Sequence, residues 1–164
     1  MIYLLIIIII VGCLLTIFYL NAYSKLSMIK TKMDYAQDNI TNLLKEKLKA
    51  MKKISEIVKK HIKKKDYLKE FNNLKTSNLT NYELDTELDK YLPIMQDLKD
   101  DYKSLNTEEY NSLLNDIKIV NQNIIANKRF FNKNNNELIK VLKGYNKIVA
   151  KINHIYIRTS YELK

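Results

Sequence analysis

The sequence predicts an all-α protein in which an N-terminal transmembrane helix continues into an elongated antiparallel bundle of three to four helices. Three observations carry this. Residues 1–20, MIYLLIIIIIVGCLLTIFYL, contain no charged side chain, whereas the chain beyond them is polar and lysine-rich; a bilayer core takes roughly 20 apolar helical residues to cross. Only two glycines and one proline occur in 164 residues, which leaves little room for hairpins and loops. From Leu26 onward apolar residues recur three and four apart, the spacing of a helix with one buried face. The expected organisation is a transmembrane anchor at residues 1–22 followed by one helical-bundle domain over residues 23–164.

Three readings compete for the apolar run. A cleaved secretory signal needs a positively charged leader and a small-residue cleavage site; no lysine or arginine precedes this run and no such site closes it. Ile10-Val11-Gly12-Cys13 has the form of a lipobox, whose cysteine is acylated after cleavage, but Leu14-Leu15-Thr16-Ile17-Phe18 follows where polar chain is usual. A retained transmembrane helix fits the length and the flanks, with Cys13 a small inert thiol. Lys25, Lys30 and Lys32 follow the span, and the positive-inside rule puts that flank in the cytoplasm. The expected product is a single-pass cell-membrane protein with the bulk of the chain cytoplasmic. Tyr19 and Tyr23 stand where interfacial aromatics are favoured.

The first soluble helix has its seam at Leu26, Ile29, Met33, Ala36, Ile40 and Leu43, then Ala50, Ile54 and Ile57, widened by Leu44, Leu48, Met51, Val58 and Ile62. Nothing between residues 20 and 26 breaks a helix, so anchor and seam are expected to form one helix; residues 26–62 alone span about 54 Å. Lys47 falls on the seam. It either snorkels out of the bundle or pairs with a carboxylate on a facing helix.

Residues 71–81, FNNLKTSNLTN, lose the pattern and read as a loop. Thr80-x-x-Glu83 then forms a capping box, opening a second helix with Leu84, Leu88, Leu92, Met95, Leu98 and Tyr102 on its seam. Pro93 predicts a kink or break there. Asn106-x-x-Glu109 looks like a further cap. The next stripe runs through Tyr110, Leu113, Ile117, Val120, Ile124, Phe131, Leu138, Val141, Tyr145, Ile148, Ile152 and Ile155, with Asn127 and Asn134 on two seam positions. A seam asparagine costs stability and fixes register. Residues 132–136 offer a local break, although the phase is kept across them. Gly144 is placed as the residue closing the long helix, and a short last helix is expected over residues 147–157.

At this point the pattern resembles the LemA family of bacterial membrane-anchored helical proteins, over most of residues 23–150. The family's Tyr-Asn-x-Leu after its anchor corresponds to Tyr23-Ser24-Lys25-Leu26. Its following valine, alanine, isoleucine and leucine correspond without gaps to Met33, Ala36, Ile40 and Leu44, and its arginine one turn later to Lys47. A later Leu-x-x-x-Val-Lys is matched by Ile54, Val58 and Lys59, and Phe-x-x-Leu-x-x-x-Leu by Tyr110, Leu113 and Ile117. Ala-Arg-x-x-Tyr-Asn is echoed by Asn127-Lys128-Arg129-Phe130-Phe131-Asn132. The family's Asp-Leu-Ile-Pro is replaced by Lys49-Ala50-Met51-Lys52, and its proline turns are absent. The resemblance implies an N-terminal anchor and an antiparallel helical bundle, and adds little on mechanism.

Charge and chemistry narrow the function. The formal charge is +10, yet arginine, the preferred phosphate reader, occurs only as Arg129 and Arg158, and no nucleic-acid-binding motif accompanies the lysines. No nucleic-acid partner is expected. Lys45, Lys47, Lys49, Lys52, Lys53, Lys59, Lys60, Lys63, Lys64 and Lys65 gather late in the first helix, and Glu83, Asp85, Glu87 and Asp89 open the second. An antiparallel hairpin brings these clusters together, so partial mutual neutralisation is expected. Lys45 would lie about 36 Å beyond the span on an upright helix, several Debye lengths away, so binding of the cluster to lipid requires a tilted helix or a second membrane.

One cysteine excludes a disulfide framework. His61 is flanked by lysines and His154 lacks a nearby carboxylate, which does not make a zinc site. Two glycines cannot build a phosphate loop or a nucleophile elbow. The expectation is a protein that is not an enzyme, with no catalytic, cofactor-binding or metal-ligating residue and no cofactor. The function expected is a membrane-anchored scaffold or adaptor that presents a polar helical surface to an unidentified protein partner or to a second copy of itself. The alternative is a module that binds anionic lipid or remodels membranes through the lysine cluster.

Overall fold

The computed structural model describes residues 1–62 and 67–163. Lys63, Lys64 and Lys65 of the lysine cluster lie outside them. Five α-helices follow in order: α1 (Ile2–His61), α2 (Lys69–Asn72), α3 (Asn81–Asp101), α4 (Glu108–Val141) and α5 (Tyr145–Ile152), with 3₁₀ turns at Thr76–Asn78 and Lys103–Leu105. Among the described residues there is no strand.

α1 is one helix of 60 residues, so the apolar run and the first seam share a continuous backbone, as the absence of any breaker near residues 20–26 predicts. Its two parts meet different surroundings. Every residue from Met1 to Phe18 is exposed, and the most apolar stretch, with a mean hydropathy of 2.9, has no part buried in protein. A core helix of a soluble protein would bury that surface. α1 is therefore long and apolar enough at its N-terminal end to cross a membrane.

Burial then follows the seam through Leu26, Ile29, Met33, Ala36, Ile40, Leu44, Lys47, Met51, Ile54 and Val58. Leu43 and Ala50, expected on this line, are only half-buried. A strict three-four alternation drifts off the face of a 3.6-residue helix, and the extra step of four from Ile40 to Leu44 restores the phase.

The chain divides into two compact units, one of Met1–Ala36 with Arg129–Glu162, the other of Gln37–Lys128 with Leu163–Lys164. The core of the first joins Leu26, Ile29, Met33 and Ala36 of α1, Phe131 and Leu138 of α4, Val149 and Ala150 of α5, and Ile155 beyond it. Burying such side chains is worth about 1.5–3 kcal/mol each. Asparagine amides hold the non-helical tail in this unit. Asn135 accepts from the Arg158 N–H at 3.0 Å and donates to the Arg158 carbonyl at 2.6 Å. Asn132 does the same with Tyr161, at 2.8 and 2.7 Å. Each amide stands in for a peptide group, so the N–H and carbonyl of Arg158 and of Tyr161 are paired without a strand. The asparagine run therefore does not break α4; it is where the tail is held.

In the second unit, Phe71, Leu88, Met95, Leu98, Leu105, Tyr110, Ile117 and Ile124 are buried together with the α1 residues from Ile40 onward. Thr80 opens α3 with both halves of a capping box: the Glu83 N–H donates to its hydroxyl, and its own N–H donates to the Glu83 carboxylate at 2.8 Å. The presumed loop at residues 71–81 holds the end of α2 and the first 3₁₀ turn. Ser55 reaches into it, donating to Asn72 at 2.8 Å, and the Asn81 amide donates to Thr41 at 2.7 Å.

Three expectations are corrected and one, a kink or break at Pro93, is narrowed. α3 runs through Pro93 unbroken. The proline ring frees the carbonyl of Asp89, and both residues are exposed, so water can satisfy it. The cap of α4 is Thr107, whose hydroxyl accepts from the Tyr110 N–H at 3.2 Å, rather than Asn106. α4 ends at Val141, so Gly144 does not close it; Gly144 precedes α5 with φ 50° and ψ −128°, a conformation natural only to glycine. Finally, α5 stops at Ile152 instead of continuing to residue 157. His154 adopts φ 53°, its N–H bonds the Lys151 carbonyl, and the Ile155 N–H bonds the Ala150 carbonyl at 2.9 Å. This is a Schellman closure with histidine in the left-handed position. The phase of the stripe changes across the turn: Val149 and Ala150 are buried, while Tyr145, Ile148 and Ile152 face outward.

Candidate functional site

The most unusual chemistry of the chain is a buried ionic cluster in the second unit. Lys47 stands on the α1 seam between Leu44 and Met51 and is fully buried. Its ammonium donates to Asp85 of α3 at 3.0 Å and to Asp89, one turn on, at 2.6 Å. The other oxygen of Asp85 accepts from Lys128 of α4 at 2.6 Å. Asp85 and Lys128 are buried, whereas the Asp89 carboxylate is 46 % exposed. Three helices thus place two cations and two anions around one point, and the formal charge cancels. Of the two readings for Lys47, pairing with a carboxylate on a facing helix is the one realised.

Each member arrives by helical spacing. Asp85 precedes Leu88, Leu92 and Met95 at intervals of three and four, so it occupies a core-facing position despite its charge. Lys128 takes the place between Ile124 and Phe131. The neighbouring Asn127 is only half-buried and accepts from the Asn39 amide at 3.3 Å. Asn134, the other seam asparagine, is buried in the first unit and donates to the Phe130 carbonyl of its own helix at 2.7 Å.

Electrostatics favours the charged state of the aspartate. Burial pushes the Asp85 carboxyl up, but the hydrogen bonds and charges of Lys128 and Lys47 outweigh it and hold the carboxyl below its ordinary 3.8. Both its oxygens are engaged. A general base must be poised near the working pH and within reach of substrate. An ionised, fully bonded, buried aspartate is suited instead to fixing helices against each other. Tyr110 is similar: burial pushes its hydroxyl up to about 12, and it donates to the Met95 carbonyl at 2.6 Å, tying α4 to α3.

The surrounding charges are less neutralised than expected. Among the described residues, Lys47 is the only member of the lysine cluster in an ion pair with the acidic start of α3; Glu87 pairs with Lys90, and Glu83 serves the Thr80 cap. Lys45, Lys49, Lys52, Lys53, Lys59 and Lys60 are exposed. At 100° per residue they fall within an arc of about 120° on α1, which Glu56 shares. A shallow groove of about 410 Å³ adjoins this stripe, lined by Lys49, Ala50 and Lys53 of α1 and by Leu113, Asp116 and Val120 of α4.

The remaining candidates are dispersed. His61 contacts the Ile57 carbonyl of its own helix, and His154 contacts the Tyr156 hydroxyl. Cys13 is exposed on the apolar part of α1. Among the described residues, no group of three His, Cys, Asp or Glu side chains comes together as metal ligands. Sequence reasoning passed over Asp85 and Lys128 as site residues, though their signal was present: a charge at a position where the three-four spacing calls for an apolar side chain. No protein-family model, curated protein or solved structure matches the chain.

Proposed function

We propose that this protein is a single-pass, membrane-anchored helical scaffold, with residues 1–22 in the bilayer and residues 23–164 forming a cytoplasmic antiparallel bundle of three to four helices that presents a polar surface to a protein partner or to a second copy. The observation that carries the reading is the wholly unburied apolar stretch that shares one helix with a packed seam. Antiparallel packing is supported within the second unit by the pairing of Asn39 with Asn127 and by a groove in which residues 46–53 meet residues 113–123. Lysine after the span supports the cytoplasmic orientation. Lys47 and Lys128, the positions that correspond to two arginines of the LemA-family pattern, both bond Asp85. The cluster serves rigidity, not turnover, and the function is not catalytic.

The test uses the full chain, tagged at its C-terminus, in a bacterial membrane. Retention after alkaline carbonate extraction, with the tag protected from protease outside intact spheroplasts, is the expected result; release or cleavage refutes the topology. For the scaffold role, crosslinking in the membrane should give a discrete adduct that reversing the charges of Lys49 and Lys53 removes. An adduct insensitive to that change places the presenting surface elsewhere.

The basic stripe of α1 favours a second reading, tethering of anionic lipid. Vesicles bearing the reconstituted chain would then capture phosphatidylglycerol vesicles at low salt and release them as salt rises. No capture at low salt eliminates this reading.

A further inference from the structure

α5 carries an apolar face that nothing among the described residues covers. Tyr145, Ile148 and Ile152 are 45 %, 58 % and 61 % exposed. At 100° per residue they lie within about 60° of one another. Ala150 lies on the opposite side and Val149 at the edge of the exposed face, and both are buried in the core of the first unit. Lys151 borders the exposed apolar face, Lys147 lies further round on the same flank, and Lys143 precedes the helix; all three are exposed and make no ion pair among the described residues.

The position of α5 says what covers that face. Asn153, the residue after α5, donates to the Tyr19 hydroxyl at 3.1 Å. Tyr19 is the penultimate residue of the uncharged run, and it also packs against the core that contains Val149 and Ala150. The C-terminal end of α5 is therefore fixed at the level where the apolar part of α1 ends. Tyr19 and Tyr23 stack there with parallel rings at 6.3 Å, and tyrosine is a residue enriched in the interfacial zone. A short helix held at that level, apolar on one side and lysine-bordered, has the composition of an interfacial membrane helix.

We propose that α5 is a second membrane contact: Tyr145, Ile148 and Ile152 enter the headgroup–acyl boundary of the same bilayer that α1 spans, and Lys147 and Lys151 lie among anionic headgroups. This rests on the anchor reading of residues 1–22. It goes beyond that reading, because a second contact fixes the tilt and rotation that a single span leaves free. The occupant is lipid and not a second protein because the bond from Asn153 to Tyr19 holds the helix where the uncharged run ends, and exposed lysines accompany its apolar face.

The experiment uses the full chain with Cys13→Ser, reconstituted in phosphatidylcholine–phosphatidylglycerol vesicles, with single cysteines labelled by an environment-sensitive fluorophore. Ile152→Cys and Ile148→Cys report on α5, and Leu14→Cys reports on the anchor. Burial about 5–10 Å below the headgroups brings the α5 labels within reach of a nitroxide high on the acyl chain, so they should lose more than about half their emission, while the Leu14 label responds to a nitroxide deep in the bilayer. Deep quenching at Leu14 with α5 labels open to aqueous iodide overturns the proposal and leaves the anchor intact. Labels shielded from iodide yet untouched by the lipid nitroxide also overturn it, in favour of a second copy of the chain on that face. No quenching at any position overturns proposal and anchor together.

Discussion

Replacing Asp85 by asparagine tests the central packing argument most directly. The substitution keeps the shape and removes the anion that Lys47 and Lys128 share. Lys47 retains Asp89 at 2.6 Å, but Lys128 loses the one carboxylate that it pairs with among the described residues. Removing one member of a buried ion pair costs about 3–5 kcal/mol, because the other charge stays buried. With Asp89 still in place the lower end applies, about 3 kcal/mol, or roughly a hundredfold in the opening equilibrium at 1.4 kcal/mol per tenfold. Hydrogen exchange read on peptides covering residues 44–51, 84–92 and 124–128 should accelerate by that factor in detergent-solubilised full chain. Lys47→Met is the contrast: it leaves Asp85 bonded to Lys128 and Asp89 partly in solvent, so it should accelerate exchange less than Asp85→Asn does. The pH dependence has a defined sign. The folded carboxyl of Asp85 lies below the ordinary 3.8, so in the window beneath that value the unfolded chain binds the proton first. Stability from this group is complete above 3.8 and is lost as pH falls through the folded value, with a slope of at most about 1.4 kcal/mol per pH unit. Asp85→Asn should abolish this acid sensitivity. A variant whose exchange shows a loss within about 0.5 kcal/mol, the range of ordinary surface changes, would refute the reasoning.

Three further outcomes are expected. Asn135→Ala removes both bonds to the Arg158 backbone at a cost of about 1–3 kcal/mol, so trypsin should cut after Arg158 faster in the variant than in the parent chain. Gly144→Ala meets no atom within 4 Å, so its cost is purely the positive-φ backbone, about 1–3 kcal/mol, read as a fall in Tm. Thr80→Ala should remove about 1 kcal/mol and raise exchange of the first-turn amides of α3, with amides late in that helix unchanged.

The sequence and the structure agree where a signal was local and periodic. The continuity of α1, the Thr80 box and the seam from Tyr110 to Leu138 were legible because each depends on spacing within one segment. Failures fall where a signal comes from elsewhere in the fold. Pro93 reads as a kink or a break, and the absence of a break goes with a freed carbonyl on an exposed face, which only the packed arrangement shows. The end of α5 depends on His154 in the left-handed region, where glycine or asparagine is the usual signal. Asn127 was counted on the seam because the spacing from Ile124 allows three or four; the structure takes four and buries Lys128. For Lys47 the hairpin expectation brings an acidic cluster containing Asp85 and Asp89 into reach, but local periodicity does not single those two out, since the pairing spans 38 residues.

The ionic cluster also resolves a problem that long apolar stripes create. Shift the α1 seam by seven residues and it nearly superposes on itself: Leu26 falls on Met33, Ile29 on Ala36, Met33 on Ile40, Leu44 on Met51 and Met51 on Val58. Apolar contact alone would therefore tolerate a two-turn slip of α1 along its neighbours. The seam position that does not tolerate it is Lys47, which such a slip would exchange with Ile40 or Ile54. The ammonium would then face apolar side chains, and Asp85 would lose one of its two cations. A stranded buried charge costs about 3–5 kcal/mol, a large share of a domain's total stability of about 5–15 kcal/mol. Buried charge is a poor source of stability relative to a well-packed apolar core, so its presence on an otherwise apolar seam is best explained by register, the use for which buried polar groups in helical assemblies are best attested. The cluster specifies one alignment of α1, α3 and α4 in the second unit.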